Sequence, residues 1–452
     1  MISISRAARE APRALALTVD GRSLDHAALA ALAATRDVPP GELVAVRGDN
    51  RAETVATLLA LLDAGRAFLP VHPRAPDAEV ARLLELFGAS SLVDGAPGRG
   101  VRPREVAPDE LACVLATSGT TGTPKGAELT FGALVAAERA SLRNLGFFPG
   151  DRWILCLPVC HIGGLSIVTR CLASRVPVDL LPRFDPDAVL ARARAGATML
   201  SVVPTMLRDL LDHDRRGDLA RLRVVLVGGA ACDPALLGRA RDAGVPALTT
   251  YGLTEAASQV TAQSPRDAPE RRLGSGRALD GVTVRVLRAD GADAAPGEVG
   301  EIHVEGATVM RGYRGAPRLD GLLATGDLGA LDDRGNLHVE VRRHDLIVSG
   351  GENVYPAEIE RALRAQAGVR DALVVGVPDE RWGHAVAALV ASRGASALAL
   401  RDALVGTLST FKLPKRLLVV DALPTLPSGK PDRRRAAALL AATAPLPPAR
   451  RR

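Results

Sequence analysis

The chain is poor in several things. Aromatic residues make up only 3% of its 452 residues, with two tryptophans and three tyrosines. Its five cysteines, Cys113, Cys156, Cys160, Cys171 and Cys232, are an odd number without CxxC spacing, which argues against a disulfide framework and a zinc ribbon. Cys156, Cys160 and His161 lie close together and suggest a metal cluster, but buried free thiols are the simpler expectation. No apolar run approaches bilayer-spanning length. Met1 to Ala14 breaks its short apolar residues with Arg6, Glu10 and Arg13, unlike a signal peptide. A soluble cytoplasmic protein is expected, without membrane insertion. Arg433 to Arg435 and Arg450 to Arg452 supply six of the positive charges behind the formal +6. With no interleaving of basic and aromatic residues, a nucleic-acid partner is not expected either.

Lysine is also scarce. Of 57 basic residues only Lys125, Lys412, Lys415 and Lys430 are lysines. Arginine serves almost everywhere else, so these positions are candidates for sites that require a compact, three-donor ammonium.

What is present is an alternation of strands and helices. Apolar runs such as Leu43 to Arg47, Ala67 to Val71, Leu111 to Ala116, Trp153 to Leu157, Thr198 to Val203 and Val224 to Val227 alternate with helical segments, as in α/β proteins with parallel sheet. From Val282 the texture changes to short alternating strands with glycine turns, as in a small antiparallel sheet or barrel. Beyond Arg343 a compact α+β unit is expected, with a helix at Pro356 to Ala365 and strands at Ala372 to Val377, Val386 to Ala391 and Arg416 to Val420. The length implies more than one domain. Residues 1–341 and 342–452 are the expected division.

One stretch stands out. Thr117 to Gly126, Thr-Ser-Gly-Thr-Thr-Gly-Thr-Pro-Lys-Gly, puts five hydroxyls, three glycines and one lysine into ten residues, between a buried strand and a helix capped by Thr130. Glycine lets backbone N–H groups approach an anion, hydroxyls add donors and the ammonium neutralises charge, so a polyphosphate is the natural ligand. The spacing is not that of a Walker A loop. Ligands of open α/β sheets collect at the carboxyl ends of strands. Four loops fall there, namely Thr117 to Gly126, Pro158 to Gly164, Gly228 to Ala231 and Tyr251 to Glu255, and they are expected to converge on one crevice.

These motifs, in this order, resemble the adenylate-forming superfamily of acyl-CoA synthetases, adenylation domains and luciferases over nearly the whole chain. The resemblance implies a large N-terminal α/β domain of two layered sheets with a small barrel-like subdomain, followed by a small mobile α+β C-terminal domain. ATP, Mg2+ and coenzyme A are the implied co-substrates and activating metal. It assigns Thr117, Ser118, Gly119, Thr120, Thr121, Gly122 and Lys125 to the phosphate loop. Gly228, Gly229 and Ala230 pack on adenine, and Tyr251, Gly252 and Thr254 belong to the nucleotide loop. Glu255 holds magnesium, Asp327 the ribose hydroxyls, and Arg342 adds a ribose contact. Pro427-Ser428-Gly429-Lys430 presents Lys430 to the α-phosphate and the attacking carboxylate. Gly350 and Gly351 mark the segment used in thiolation. The family's hinge glycine is replaced in Val341-Arg342-Arg343-His344-Asp345.

The acid is read elsewhere. The loop Leu157 to Ser166 lacks the aspartate that α-amino acid adenylation domains place there, and no carrier domain follows, so a free-standing CoA ligase is expected. His161 to Ser166, Ser201 to Leu207 and Tyr251 to Thr261 resemble the 2-succinylbenzoate-CoA ligase branch, in menaquinone biosynthesis. That resemblance implies Ser166, Ser258 and Arg170 for the acyl substrate, with Arg170 facing a second carboxylate. His161 closes the pocket wall, because the acid is already ionised at neutral pH. Another aryl or fatty carboxylate is the alternative, and a homo-oligomer is left open.

Overall fold

The computed structural model describes the chain except residues 1, 76, 99, 101, 118–123, 343–346, 350–351, 355, 380–381, 406, 409–411, 428 and 448–452, and the side chains of 341, 342, 348, 352 and 353. It contains two units. One comprises Met1–Arg285, His303–Thr325 and Leu331–His338, the other Val286–Ile302, Gly326–Ala330 and Val339–Arg452.

The first unit holds two large sheets. In the six-stranded one, Leu43–Arg47 pairs in parallel with Leu92–Val93 on one side and Ala67–Val71 on the other; Leu111–Thr117, Lys125–Thr130 and Gly312–Tyr313 follow outward. Leu43, Val44, Ala45 and Val46 are fully buried. An unbroken apolar run is what a parallel strand covered on both faces requires. The nine-stranded sheet runs from Arg277–Ala278 through Ser258–Ala262, Ala247–Leu253, Val224–Val227, Met199–Val202, Trp153–Leu155, Val178–Leu180 and Leu15–Val19 to Arg22–Asp25. A four-stranded sheet has the order Val282–Leu287, Gly300–Gly306, Leu323–Leu331, Leu337–Arg342, where the sequence texture changes.

Two local expectations are corrected. The residues after the Thr/Ser/Gly stretch do not pass directly into a helix: Lys125–Thr130 is a strand antiparallel to Leu111–Thr117. Thr130 still caps helix Phe131–Leu145, its Oγ1 accepting from the Ala133 N–H at 3.1 Å, as the capping rule anticipates. Likewise Tyr251, Gly252 and Leu253 lie within the strand Ala247–Leu253, not in a loop beyond it. The chain then turns through Thr254–Ala256 and returns as Ser258–Ala262.

In the second unit, strands Val369–Asp379 and Gly383–Ser392 form a long antiparallel pair, with Arg416–Val420 parallel to the latter. Their side chains alternate. Ala372, Val374, Val386, Ala388 and Val390 pack with Ile359, Leu363 and Leu400, while Leu373, Val375, Ala385, Ala387 and Leu389 pack with Ala436 and Leu440. Helix Arg433–Ala441 covers that second face, although its sequence reads as a basic tail. Arg433 is structural: it donates to the Val374 carbonyl at 2.6 Å and to Glu360 Oε1 at 3.3 Å. Glu360, 7% exposed, also accepts from the Val374 N–H at 2.9 Å and from Arg364 at 3.2 Å. Among the described residues no helix is long and apolar enough to cross a membrane.

Removing that carboxylate leaves the buried Val374 N–H without its acceptor and takes one partner from each of Arg364 and Arg433, which keep Asp371 and the Val374 carbonyl respectively. Glu360→Ala is expected to cost roughly 3 kcal/mol in the second unit. Chemical denaturation reads this, and an unchanged midpoint would show that the network carries no weight.

Candidate active site

At the carboxyl end of Leu111–Thr117, Thr117 pairs with Lys125 of the antiparallel strand, and its Oγ1 donates to the Lys125 carbonyl at 3.3 Å. Ser118, Gly119, Thr120, Thr121 and Gly122 lie outside the described residues. Lys125 is exposed, with its Nζ 5.0 Å above the centroid of the Tyr313 ring. The Tyr313 hydroxyl donates to Glu255 Oε1 at 2.9 Å. Burial, reinforced by Glu255, pushes the tyrosine pKa above its ordinary value and keeps it a donor. Tyr313 therefore joins the expected phosphate lysine to the expected magnesium carboxylate.

Sequence reasoning does not single out Tyr313. The signal available was scarcity, the same argument that marks lysine, since the chain has only three tyrosines. Its position is fixed by strand pairing, Tyr313 opposite Ala127 and Gly312 opposite Glu128. Glu128, 8% exposed, accepts from Arg311 at 2.7 Å and from Arg314 at 3.1 Å. The ions flank Tyr313 in sequence and tie its segment to the strand that begins with Lys125.

The second element is the hairpin bearing Tyr251 to Ser258. Tyr251 is buried; Thr254 and Glu255 sit half-buried on the turn. The Glu255 carbonyl accepts from the Met310 N–H at 2.8 Å. Ala257 and Ser258 take positive φ values of 52° and 104°, a strained region for residues with a Cβ. A Cβ on Gly252 would stand 1.9 Å from the Ser258 carbonyl oxygen, so only glycine permits this close return. Gly228 follows strand Val224–Val227, and a Cβ there would stand 2.8 Å from Thr250 Cγ2. The structure thus brings Gly228, and with it Gly229 and Ala230, beside the strand that carries Tyr251.

Ser166, Arg170 and Ser258 come together. Helix Ile162–Ser174 places Ser166 and Arg170 one turn apart. Arg170 Nη2 donates to Ser258 Oγ at 3.1 Å, which lies 3.3 Å from Ser166 Oγ. Arg170 is 3% exposed, and its Nε has no hydrogen-bond partner. Burial lowers its pKa to about 10. Among the described residues no carboxylate forms an ion pair with it. Glu138, 4% exposed on the neighbouring helix Phe131–Leu145, has both carboxyl oxygens unpartnered among the described residues.

His161 starts helix Ile162–Ser174 and is exposed. The five cysteines are free. Cys156 donates to the Ser201 carbonyl, whereas Cys160 and His161 are joined by His72, their ligand atoms within 4.8 Å of one another. His72 comes from the end of another strand, so sequence spacing could not reveal it. Its Nδ1 accepts from the Arg74 N–H at 3.1 Å.

In the second unit, Asp327 is 6% exposed in the strand Leu323–Leu331. Lys430 closes a tight turn: the Leu426 N–H donates to its carbonyl at 2.7 Å, and Gly429 takes a φ of 80°. Arg342 ends the strand Leu337–Arg342, but its side chain, with Gly350 and Gly351, lies outside the description.

Tyr313→Phe keeps the ring beneath Lys125 and removes only the hydroxyl. Folded stability is expected to fall by about 1 kcal/mol, while calorimetric affinity for magnesium-ATP drops several-fold because Glu255 loses its orienting donor. Unchanged affinity would contradict the coupling of Glu255 to Tyr313.

Comparison with known proteins places the chain in a family. The family model for AMP-binding enzymes matches residues 5–99 and 94–314, and the model for the AMP-binding enzyme C-terminal domain matches residues 358–430. A 2-succinylbenzoate–CoA ligase of Bacillus subtilis (strain 168) is 36% identical over 394 residues, 85% of this chain and 81% of that protein. Its counterpart from Geobacillus kaustophilus is 36% identical over 423 residues, 86% of each. The solved structure of o-succinylbenzoate CoA synthetase from Bacillus subtilis in complex with the acyl-adenylate intermediate superposes with a TM-score of 0.86 at 32% identity, covering 96% of this chain and 97% of that one. ATP-bound MatB from Rhodopseudomonas palustris gives 0.86 at 29% identity, covering 95% and 96%. The chain belongs to the AMP-binding enzyme family.

Proposed function

We propose that the protein is an ATP-dependent acid–CoA ligase for 2-succinylbenzoate. It activates one carboxylate as the acyl-AMP with release of pyrophosphate, then transfers the acyl group to coenzyme A, giving 2-succinylbenzoyl-CoA and AMP, as a cytoplasmic step of menaquinone biosynthesis. The observation that carries the choice of acid is Arg170, a buried cation without a carboxylate partner among the described residues, bonded to Ser258. Arginine is rarely buried unless paired, and a second carboxylate on the substrate supplies the missing partner. Ser166 and Ser258 offer hydroxyls beside it, and His161 closes the pocket wall.

On the nucleotide side, Thr117 to Lys125 receive the β- and γ-phosphates, and Lys125 neutralises the departing pyrophosphate. Glu255 is a hard oxygen donor suited to magnesium; its Oε1 is oriented by Tyr313. Magnesium, when bound, offsets charge on the phosphate oxygens. Thr254 adds a phosphate donor, Gly228 to Ala230 and Tyr251 flank the adenine, Asp327 accepts from the ribose hydroxyls, and Arg342 is assigned a further ribose contact. Lys430 neutralises the α-phosphate and the attacking carboxylate oxygen as charge develops. Gly350 and Gly351 belong to the thiolation half-reaction, for which residues 342–452 act as a separate domain from 1–341.

Pyrophosphate release measured over a panel of acids tests the substrate. The expected result is turnover with 2-succinylbenzoate above aryl and fatty monocarboxylates; no rate with it would replace the reading by one of those acids. Lys430→Ala is expected to lower adenylation by about a thousand-fold while thiolysis of preformed acyl-AMP persists. Equal loss of both would contradict that assignment.

A further inference from the structure

Helices Phe131–Leu145 and Ile162–Ser174 pack side by side and carry two buried ionisable groups without hydrogen bonds to each other. Arg170 has one bond, to Ser258, and an unpartnered Nε. Among the described residues Glu138 has no hydrogen-bond partner for either oxygen. An ionised carboxylate with no donor at either oxygen is among the costliest groups to bury, whereas the neutral acid costs far less. If Glu138 were ionised it would compete with a substrate for Arg170 by offering the same charge.

We propose that Glu138 is a specificity-determining residue for the acid substrate: as the neutral acid it leaves the Arg170 cation uncompensated and open to a second carboxylate, and as the anion it withdraws that cation. The proposal rests on the assignment of Arg170 to the substrate's second carboxylate. The substrate class it selects is a dicarboxylate, or a monocarboxylate with another anionic group at that position. Burial raises the Glu138 pKa from 4.5 to about 8; Arg170, Arg139, Arg175 and the amino-terminal charge oppose the rise only in part. Cys171, on the same helix as Arg170, is held as the thiol by burial and does not add a competing anion. The selective charge is therefore available at neutral pH and is lost as pH rises through about 8. Glu138 acts through Arg170 and positions charge; it does not take part in the reaction.

The folded state keeps the Glu138 proton to a higher pH than the unfolded chain does. Its contribution to stability is thus full in acid and declines as pH rises from the ordinary carboxylate value toward about 8. Glu138→Gln removes this dependence and keeps the shape.

The experiment measures KM for 2-succinylbenzoate and for the analogue lacking the ring carboxylate, from about pH 6 to about pH 9, in the wild-type chain and in Glu138→Gln, with urea midpoints at each pH. The wild type should lose its preference for the diacid by about tenfold across this range, and the variant should hold it constant. The midpoint difference between the two should grow with pH. Parallel KM profiles in the two proteins would overturn the proposal while the Arg170 assignment stands. Equal KM for both acids at every pH would remove the Arg170 assignment, and the proposal with it. A midpoint difference that does not vary with pH would overturn the protonation argument whatever the kinetics show.

Discussion

The close return of the chain at Ser258 is the constraint from which the proposed site follows. Gly252 lies so near the Ser258 carbonyl that a Cβ would stand 1.9 Å away, and Ala257 and Ser258 both adopt positive φ. Such conformations cost of order 1–3 kcal/mol each for residues other than glycine, offset here by antiparallel pairing of Ala247–Leu253 with Ser258–Ala262. What the strain secures is proximity of two chemistries. Glu255, on the turn, is bonded to Tyr313 beneath Lys125; Ser258, three residues later, is bonded to Arg170. The proposed phosphate handling and the proposed acid selection hang on one turn.

The two sides solve opposite electrostatic problems. A polyphosphate arrives with its own high charge, so a lysine that remains exposed over an aromatic ring suffices, and the half-buried Glu255 needs only one orienting hydroxyl. A single carboxylate is a weaker signal. Selecting it takes a desolvated partner, because Coulomb attraction is several times stronger away from water, and a guanidinium keeps its charge where an ammonium would lose its proton. The distribution follows: Arg170 is buried, Lys125 is exposed at the start of a strand, and Lys430 lies on a turn.

The strands of the large sheets were legible because a parallel strand buried on both faces is an unbroken apolar run, as at Leu43–Arg47. Boundaries at Lys125–Thr130 and Ser258–Ala262 were not. Both are return strands of hairpins whose residues, Lys-Gly-Ala-Glu-Leu-Thr and Ser-Gln-Val-Thr-Ala, pair through backbone and carry mixed side chains, and the pattern rule sees only side chains. The Ser166, Arg170 and Ser258 grouping came from resemblance; the sequence alone could not bring residues 88 apart into one hydrogen-bonded group. Tyr313, Glu138 and His72 were missed for a related reason, since what singles each out is set by the fold and not by its neighbours in sequence: the bond of Tyr313 to Glu255, the burial of Glu138 on a helix packed against that of Arg170, and the approach of His72 to Cys160.

The central claim is that a buried Arg170 recognises a second carboxylate, and binding of stable acyl-sulfamate analogues of the acyl-adenylate tests it without turnover. Calorimetry should find the analogue with a ring carboxylate at least about tenfold tighter than the one without it, and Arg170→Met should erase the difference while leaving the second analogue's affinity unchanged. Equal affinity of the wild-type chain for both analogues would contradict the account.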